Sequence, residues 1–333
     1  MALFPRLFRR SASVVAIGGG TGASGLLRGL KEHTDKLTAI VTVADDGGSS
    51  GRFRKEFGML PPGDIRNCLA ALSDGGPVLE KLFQYRFEEG DLKGHPFGNI
   101  FLAAMTKVTG DFEQAVREAN RVLNVRGRVL PATTAKLSLI AEHDDGSKTT
   151  GESLVGKVNK PVKRLAIKPE DAPAAHDVVD AIMAADLVLL GPGSLYTSVL
   201  PNLLIPDIRN ALHKTGAVIG YVCNIMTQPG ETQGFTASRH VEVIIEHTSD
   251  ALLDFVVVNT GAIPDRLRQA YAAENAVPVE ADLAKLSQVA GGPRLVTGDL
   301  VSADHVVRHH PARLAELCLQ VFRDIGRDKA KAG

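Results

Sequence analysis

The sequence predicts an α/β chain: a doubly wound, mainly parallel sheet that carries a helical insertion and a β-rich insertion. Three observations predict it. Five short apolar runs, rich in β-branched residues, lack strict polar alternation, as strands covered on both faces do. Helical patterns fall between and after those runs, the rhythm of a doubly wound sheet. The runs lead into loops of Gly, Ser, Thr, Asn and Asp, and ligands of such sheets bind outside the carboxyl ends of the strands.

The first run, 14-VVAI-17, is followed by 18-GGGTGASG-25 and a helix over 23–32. The second, 37-LTAIVTV-43, leads into 45-DDGGSSG-51. Residues 61–124 read as three to four successive helices, with patterns over 62–73, 98–108 and 111–123, and form the helical insertion. Residues 126–168 form the β-rich insertion, with short pieces 128-RVLP-131, 137-LSLIAEH-143 and 162-VKRLAI-167 around the turn 144-DDGS-147. The alternation then resumes with a helix over 175–185, strand 187-LVLL-190 and loop 191-GPGSLYTS-198. Strand 217-AVIGYV-222 with loop 223-CNIMTQPGET-232 and strand 255-FVVV-258 with loop 259-NTGAIP-264 follow, before a helix over 311–322. No Pro/Ser-rich linker, low-complexity tract or repeat divides the chain. Residues 11–325 therefore read as one unit between flexible tails, 1–10 and 326–333.

Composition narrows the function classes. Apolar residues make up 44% of the 333, enough for a large core. Lys plus Arg equals Asp plus Glu at 38 each, without the basic excess of a nucleic-acid binder. Cys68, Cys223 and Cys318 lie far apart and read as small buried residues in a reducing cytoplasm. The opening MALFPRLFRR has no apolar core of a signal peptide, and no run is long enough for a transmembrane segment.

The loops carry the chemistry. From Gly20 the first reads G-x-G-x-x-G, through Gly22 to Gly25, and Asp45 lies 20 residues further on at the end of the second strand. That is the spacing of a dinucleotide fingerprint and its ribose-binding acid, although a tight turn without ligand uses the same residues. Glycine-rich turns at helix starts offer backbone N–H groups to phosphate. Asp45 and Asp46 suit ribose hydroxyls or Mg²⁺. Ser49, Ser50 and Gly51 are placed for a phosphate, with Arg52 and Arg54 adding charge. In 61-PPGDIRN-67 and 95-HPFGNI-100, Asp64 and Asn99 stand near helix starts, where capping and ligand binding are both open. Nucleophile elbows, zinc-protease motifs and Walker-type phosphate loops are absent from the sequence.

Taken in order, GGGTG, DDGGSSG, PPGDIRN, HPFGNI, GPGSLYTS and CNIMTQPGET resemble the gluconeogenesis factor (YvcK-type) family, over about residues 13–323. That family is related to the phospholactate transferase of deazaflavin coenzyme synthesis. The resemblance implies a Rossmann-like fold, a cytoplasmic location and binding of a UDP-sugar, typically UDP-N-acetylglucosamine. It implies a regulator of cell shape and envelope synthesis on gluconeogenic carbon sources, acting without established catalysis and through a protein partner. No cofactor is required, Mg²⁺ could accompany a bound diphosphate, and a homo-oligomer is open. Carried over, Gly19, Gly20, Thr21 and Gly22 line the nucleotide crevice, with Asp45, Ser49 and Ser50 beside them. Asn99, Gly193, Ser194 and Asn224 occupy the later motifs, and Tyr271 and Arg308 match an aromatic and an arginine associated with the sugar nucleotide. Two alternatives stand: a Mg²⁺-dependent phospholactate-type transferase with Asp45 or Asp46 on the metal, and an NAD-dependent dehydrogenase resting on Gly20, Gly22, Gly25 and Asp45.

Overall fold

The computed structural model describes residues 12–248, 252–289, 292–302 and 306–332. The chain opens with β1 (Val14–Gly18), α1 (Gly20–Leu30) and β2 (Leu37–Val41). Both strands are buried along their whole length, as β-branched runs without polar alternation require. On α1, Ala23, Leu26, Leu27 and Leu30 repeat at helical spacing and are buried. Each such leucine contributes roughly 1.5–3 kcal/mol.

Five helices follow: α2 (Gly48–Phe57), α3 (Gly63–Leu72), α4 (Gly76–Gln84), α5 (Phe97–Thr109) and α6 (Phe112–Val122). The last four are the expected helical insertion. The chain then returns through β3 (Arg128–Pro131), which pairs in parallel with β2, Thr38 opposite Arg128. This corrects the expectation for 128-RVLP-131, which belongs to the main sheet as its edge strand. The β-rich insertion is accordingly β4 (Ser138–His143), β5 (Lys148–Thr150), the short α7 (Glu152–Val155) and β6 (Val162–Lys168), an antiparallel sheet in the order β5-β4-β6.

The second half runs α8 (Val178–Met183), β7 (Leu187–Leu190), α9 (Leu200–Leu203), α10 (Pro206–Lys214), β8 (Val218–Val222), α11 (Ala237–Thr248) and β9 (Phe255–Asn259). It closes with α12 (Asp265–Ala273), α13 (Leu283–Leu286), β10 (Arg294–Gly298), a two-stranded hairpin of β11 (Val301–Ser302) and β12 (Arg308–His309), and α14 (Pro311–Ala332). The main sheet has seven strands in the order β3-β2-β1-β7-β8-β9-β10, every neighbouring pair parallel. That is the expected doubly wound α/β architecture, extended by β10, an edge strand with one buried residue, Val296. The tail expected over 326–333 is helical through Ala332, as the continuation of α14. Residues 1–10 lie outside the described residues.

Candidate functional site

The strand order reverses between β1 and β7, so the loops after them diverge and leave a crevice outside the sheet. Its volume is about 860 Å³. One wall is main chain. Gly20 sits at φ +68°, a left-handed conformation that glycine adopts without steric cost. A Cβ on Gly22 would stand 2.6 Å from the carbonyl oxygen of Pro192, so only glycine lets the two loops meet. The N-cap of α1 is Gly19, which has no side chain to cap it, and of the first-turn amides that of Gly20 goes to Asp64. The other first-turn N–H groups, with Gly193 and Ser194 opposite, form a cradle that favours an anion. Gln228 Nε2 donates to Ser194 Oγ at 2.7 Å and Asn224 lies within 3.4 Å of Gln228 Oε1, which orients the hydroxyl.

The wall facing it is acidic. Asp45 comes from the end of β2, Asp64 from the first turn of α3 and Glu152 from α7 of the β-rich insertion. Asp64 does not cap α3, whose N-cap is Pro62; its carboxylate accepts the backbone N–H of Gly20. Burial, then the charge of Asp45, pushes the Asp64 carboxyl up to about 6. Burial and the charges of Asp45, Asp46, Glu231 and Asp64 push Glu152 up to about 8. Glu231, behind this wall, is pushed up to about 7 by burial, and its Oε2 has no hydrogen-bond partner. Among the described residues, no group of three or more His, Cys, Asp or Glu is arranged to hold a metal ion.

The outer end is lined by Tyr271, Val307, Arg308 and His309. It rests on a small apolar cluster of its own, Ile225, Met226, Ile263, Leu267, Val301 and Val307, with Tyr271 against it. The Tyr271 hydroxyl accepts the N–H of Val307 at 3.2 Å and so ties α12 to the segment leading into β12. Arg308 is exposed, while burial lowers His309 to about 4 and keeps its ring neutral.

Comparison with known proteins agrees with this fold. The family model for CofD, 2-phospho-L-lactate transferase, matches residues 14–300. A gluconeogenesis factor of Bacillus subtilis is 48% identical over 93% of this chain and 98% of its own. One from Halalkalibacterium halodurans is 47% identical over 93% of this chain and 97% of its own. The chain belongs to the gluconeogenesis factor family, with a CofD-type domain. A crystal structure of a Bacillus halodurans protein, described as a member of the UPF0052 family, superposes with a TM-score of 0.90 at 47% identity. It covers 94% of this chain and is itself covered completely.

In this chain the structure brings together Gly19, Gly20, Thr21, Gly22, Asp45, Gly193, Ser194, Asn224, Tyr271 and Arg308 on the crevice walls. Three other expected residues do not line it. Ser49 and Ser50 are buried in the first turn of α2, a helix that begins inside what the sequence suggested was a loop. Asn99 donates to Ser49 Oγ at 3.0 Å and accepts from Arg66 Nη1 at 3.2 Å. Ser49 Oγ also shares a hydrogen bond with His95 Nδ1, 2.9 Å away. This network joins α2, α3 and α5 behind the acidic wall. Asp46 also points away: its carboxylate accepts the N–H groups of Glu152 and Ser153 at 3.1 and 2.8 Å, which ties the β-rich insertion down. Arg52 and Arg54 donate to main-chain carbonyls, of Lys93 and Leu137 respectively, and neither lines the crevice.

Several lining residues escaped the sequence reading. Arg28 shares a helix face with Thr21 and Gly25 at i, i+4, i+7 spacing, a signal that was available; it pairs with Glu80 at 2.7 Å. Glu152 carried no local signal, because its place depends on a contact 106 residues away in sequence. Among the described residues, no helix is long and apolar enough to cross a membrane.

Proposed function

We propose that this protein binds a UDP-sugar, UDP-N-acetylglucosamine foremost, and acts in the cytoplasm as a non-catalytic regulator of cell shape and envelope synthesis during growth on gluconeogenic carbon. A protein partner in envelope synthesis receives the signal. The observation that carries the reading is the graded crevice. A main-chain anion cradle suits a diphosphate, carboxylates suit sugar or ribose hydroxyls, and Tyr271 with Arg308 closes the outer end. No cofactor is required on this reading. Mg²⁺ bound with the diphosphate would meet a hard oxygen ligand in Asp45, whereas Asp46 is already engaged.

A second reading, phosphate-ester transfer, is favoured by the match to the phospholactate transferase model and by the paired carboxylates Asp45 and Asp64. Calorimetric titration with UDP-N-acetylglucosamine, UDP-glucose, NADH and GDP, with and without Mg²⁺, separates the readings. Saturable binding of the uridine sugars alone, with the sugar recovered unchanged, is expected. Mg²⁺-dependent GDP binding would transfer the site to the second reading, and tight NADH binding to a dehydrogenase.

A further inference from the structure

The acidic wall is unusual in what surrounds it. Three carboxylates from three separate segments, Asp45, Asp64 and Glu152, share one cavity with the anion cradle. The charged groups acting most strongly on Glu152 are all acidic: Asp45, Asp46, Glu231 and Asp64. Asp45 Oδ1 takes the N–H of Gly47 at 2.9 Å, and Asp64 takes that of Gly20, so both remain acceptors held by the main chain. Of the cations nearby, Arg28 pairs with Glu80, while Arg66, bonded to Asn67 and Asn99, offsets part of the charge of Asp64 and Asp45. Behind the wall, Glu231 takes a 3.4 Å hydrogen bond from Thr197 and the backbone N–H of Tyr196, and its Oε2 has no partner.

We infer that the crevice takes a nucleoside diphosphate whose distal group is uncharged and rich in hydroxyls, and that Asp45, Asp64 and Glu152 exclude sugar nucleotides bearing an acidic group there. This rests on the UDP-sugar reading and adds the charge class of the sugar. Hydroxyls donate to carboxylates with little loss, whereas a ligand carboxylate would face like charges in a partly desolvated cavity. Discrimination of this kind works by repelling the wrong ligand, not by gripping the right one more tightly. The upward displacement of Asp64 and Glu152 is consistent with that crowding, and it predicts that exclusion weakens as the wall gains protons.

UDP-glucose and UDP-glucuronic acid differ at one carbon, a hydroxymethyl group against a carboxylate, and isolate the effect. Their affinities for the full chain are measured calorimetrically in chelator at about pH 8.5, where the wall is most charged. UDP-glucose is expected to bind about tenfold more tightly, or 1.4 kcal/mol. The ratio should shrink at about pH 6 and in Glu152→Gln or Asp64→Asn, whichever of the two folds better. The ratio of affinities is the readout, so a general weakening in either variant does not mimic the result. A wild-type ratio under about threefold, or a larger one that neither substitution lowers, overturns the inference. If UDP-glucose fails to bind at all, the UDP-sugar reading itself falls, and the inference with it.

Discussion

One wall of the crevice works through main-chain amides, the other through carboxylates, one from the end of β2 and two carried on the insertions. At the start of α1, Gly22 holds two loops so close that a single added carbon would overlap backbone. Across the cavity, Asp64 and Glu152 are held by hydrogen bonds between residues far apart in sequence, and Asp45 by the N–H of nearby Gly47. The first wall therefore has no tolerance for added volume and little response to pH. The second tolerates an isosteric exchange of side chain and responds to protons. The division suggests that the sheet supplies a general anion site and the insertions supply its selectivity.

The contrast can be broken most sharply at Gly22. A Cβ there lies 2.6 Å from a carbonyl oxygen of Pro192, which has no rotamer to move. Gly22→Val should cost about 1–3 kcal/mol of stability through overpacking and bring sugar-nucleotide binding below detection. Denaturant unfolding and calorimetry check both; near-normal binding would mean that the two loops do not meet as described. At the exposed outer end the balance reverses. Arg308→Met should weaken binding about tenfold while leaving stability within about 0.5 kcal/mol, as expected for a charge-assisted contact on a solvated residue.

The network behind the acidic wall is structural by comparison. Asn99→Ala removes partners from Arg66 and Ser49 in a buried setting, and should lower stability by about 1–3 kcal/mol with a smaller change in affinity. The smallest effect concerns pH. Asp64 and Glu152 have folded-state pKa values raised to about 6 and about 8, so the native state holds more protons than the unfolded chain between those values and the ordinary carboxylate range. Their contribution to stability therefore falls as pH rises from about 4 to about 8. Glu152→Gln should flatten that decline and gain on the order of 1 kcal/mol at the alkaline end. A decline of equal slope in the variant would place the proton uptake elsewhere.

The same division governs how much could be read in advance. Five strands of the main sheet were legible because burial on both faces leaves a run without strict polar alternation. β3 was assigned to the wrong sheet because four residues ending in Pro131 do not say which strand they pair with. β10 was missed since an edge strand with one buried residue has no clear period. Gly48 and Gly51 hid the start of α2, being poor helix formers placed where helix α2 begins. At the site, the glycine wall was readable because backbone constraint leaves its mark in adjacent residues. Glu152 was not, because Asp46 positions it from the far side of an insertion.

The most direct measurement is a crystal structure of the protein with UDP-N-acetylglucosamine. The diphosphate should lie within hydrogen-bond distance of the amides of Thr21 and Gly22 and of Ser194, with the sugar hydroxyls against Asp45, Asp64 or Glu152. A nucleotide seated with its diphosphate away from the start of α1, or outside this crevice, would contradict the account.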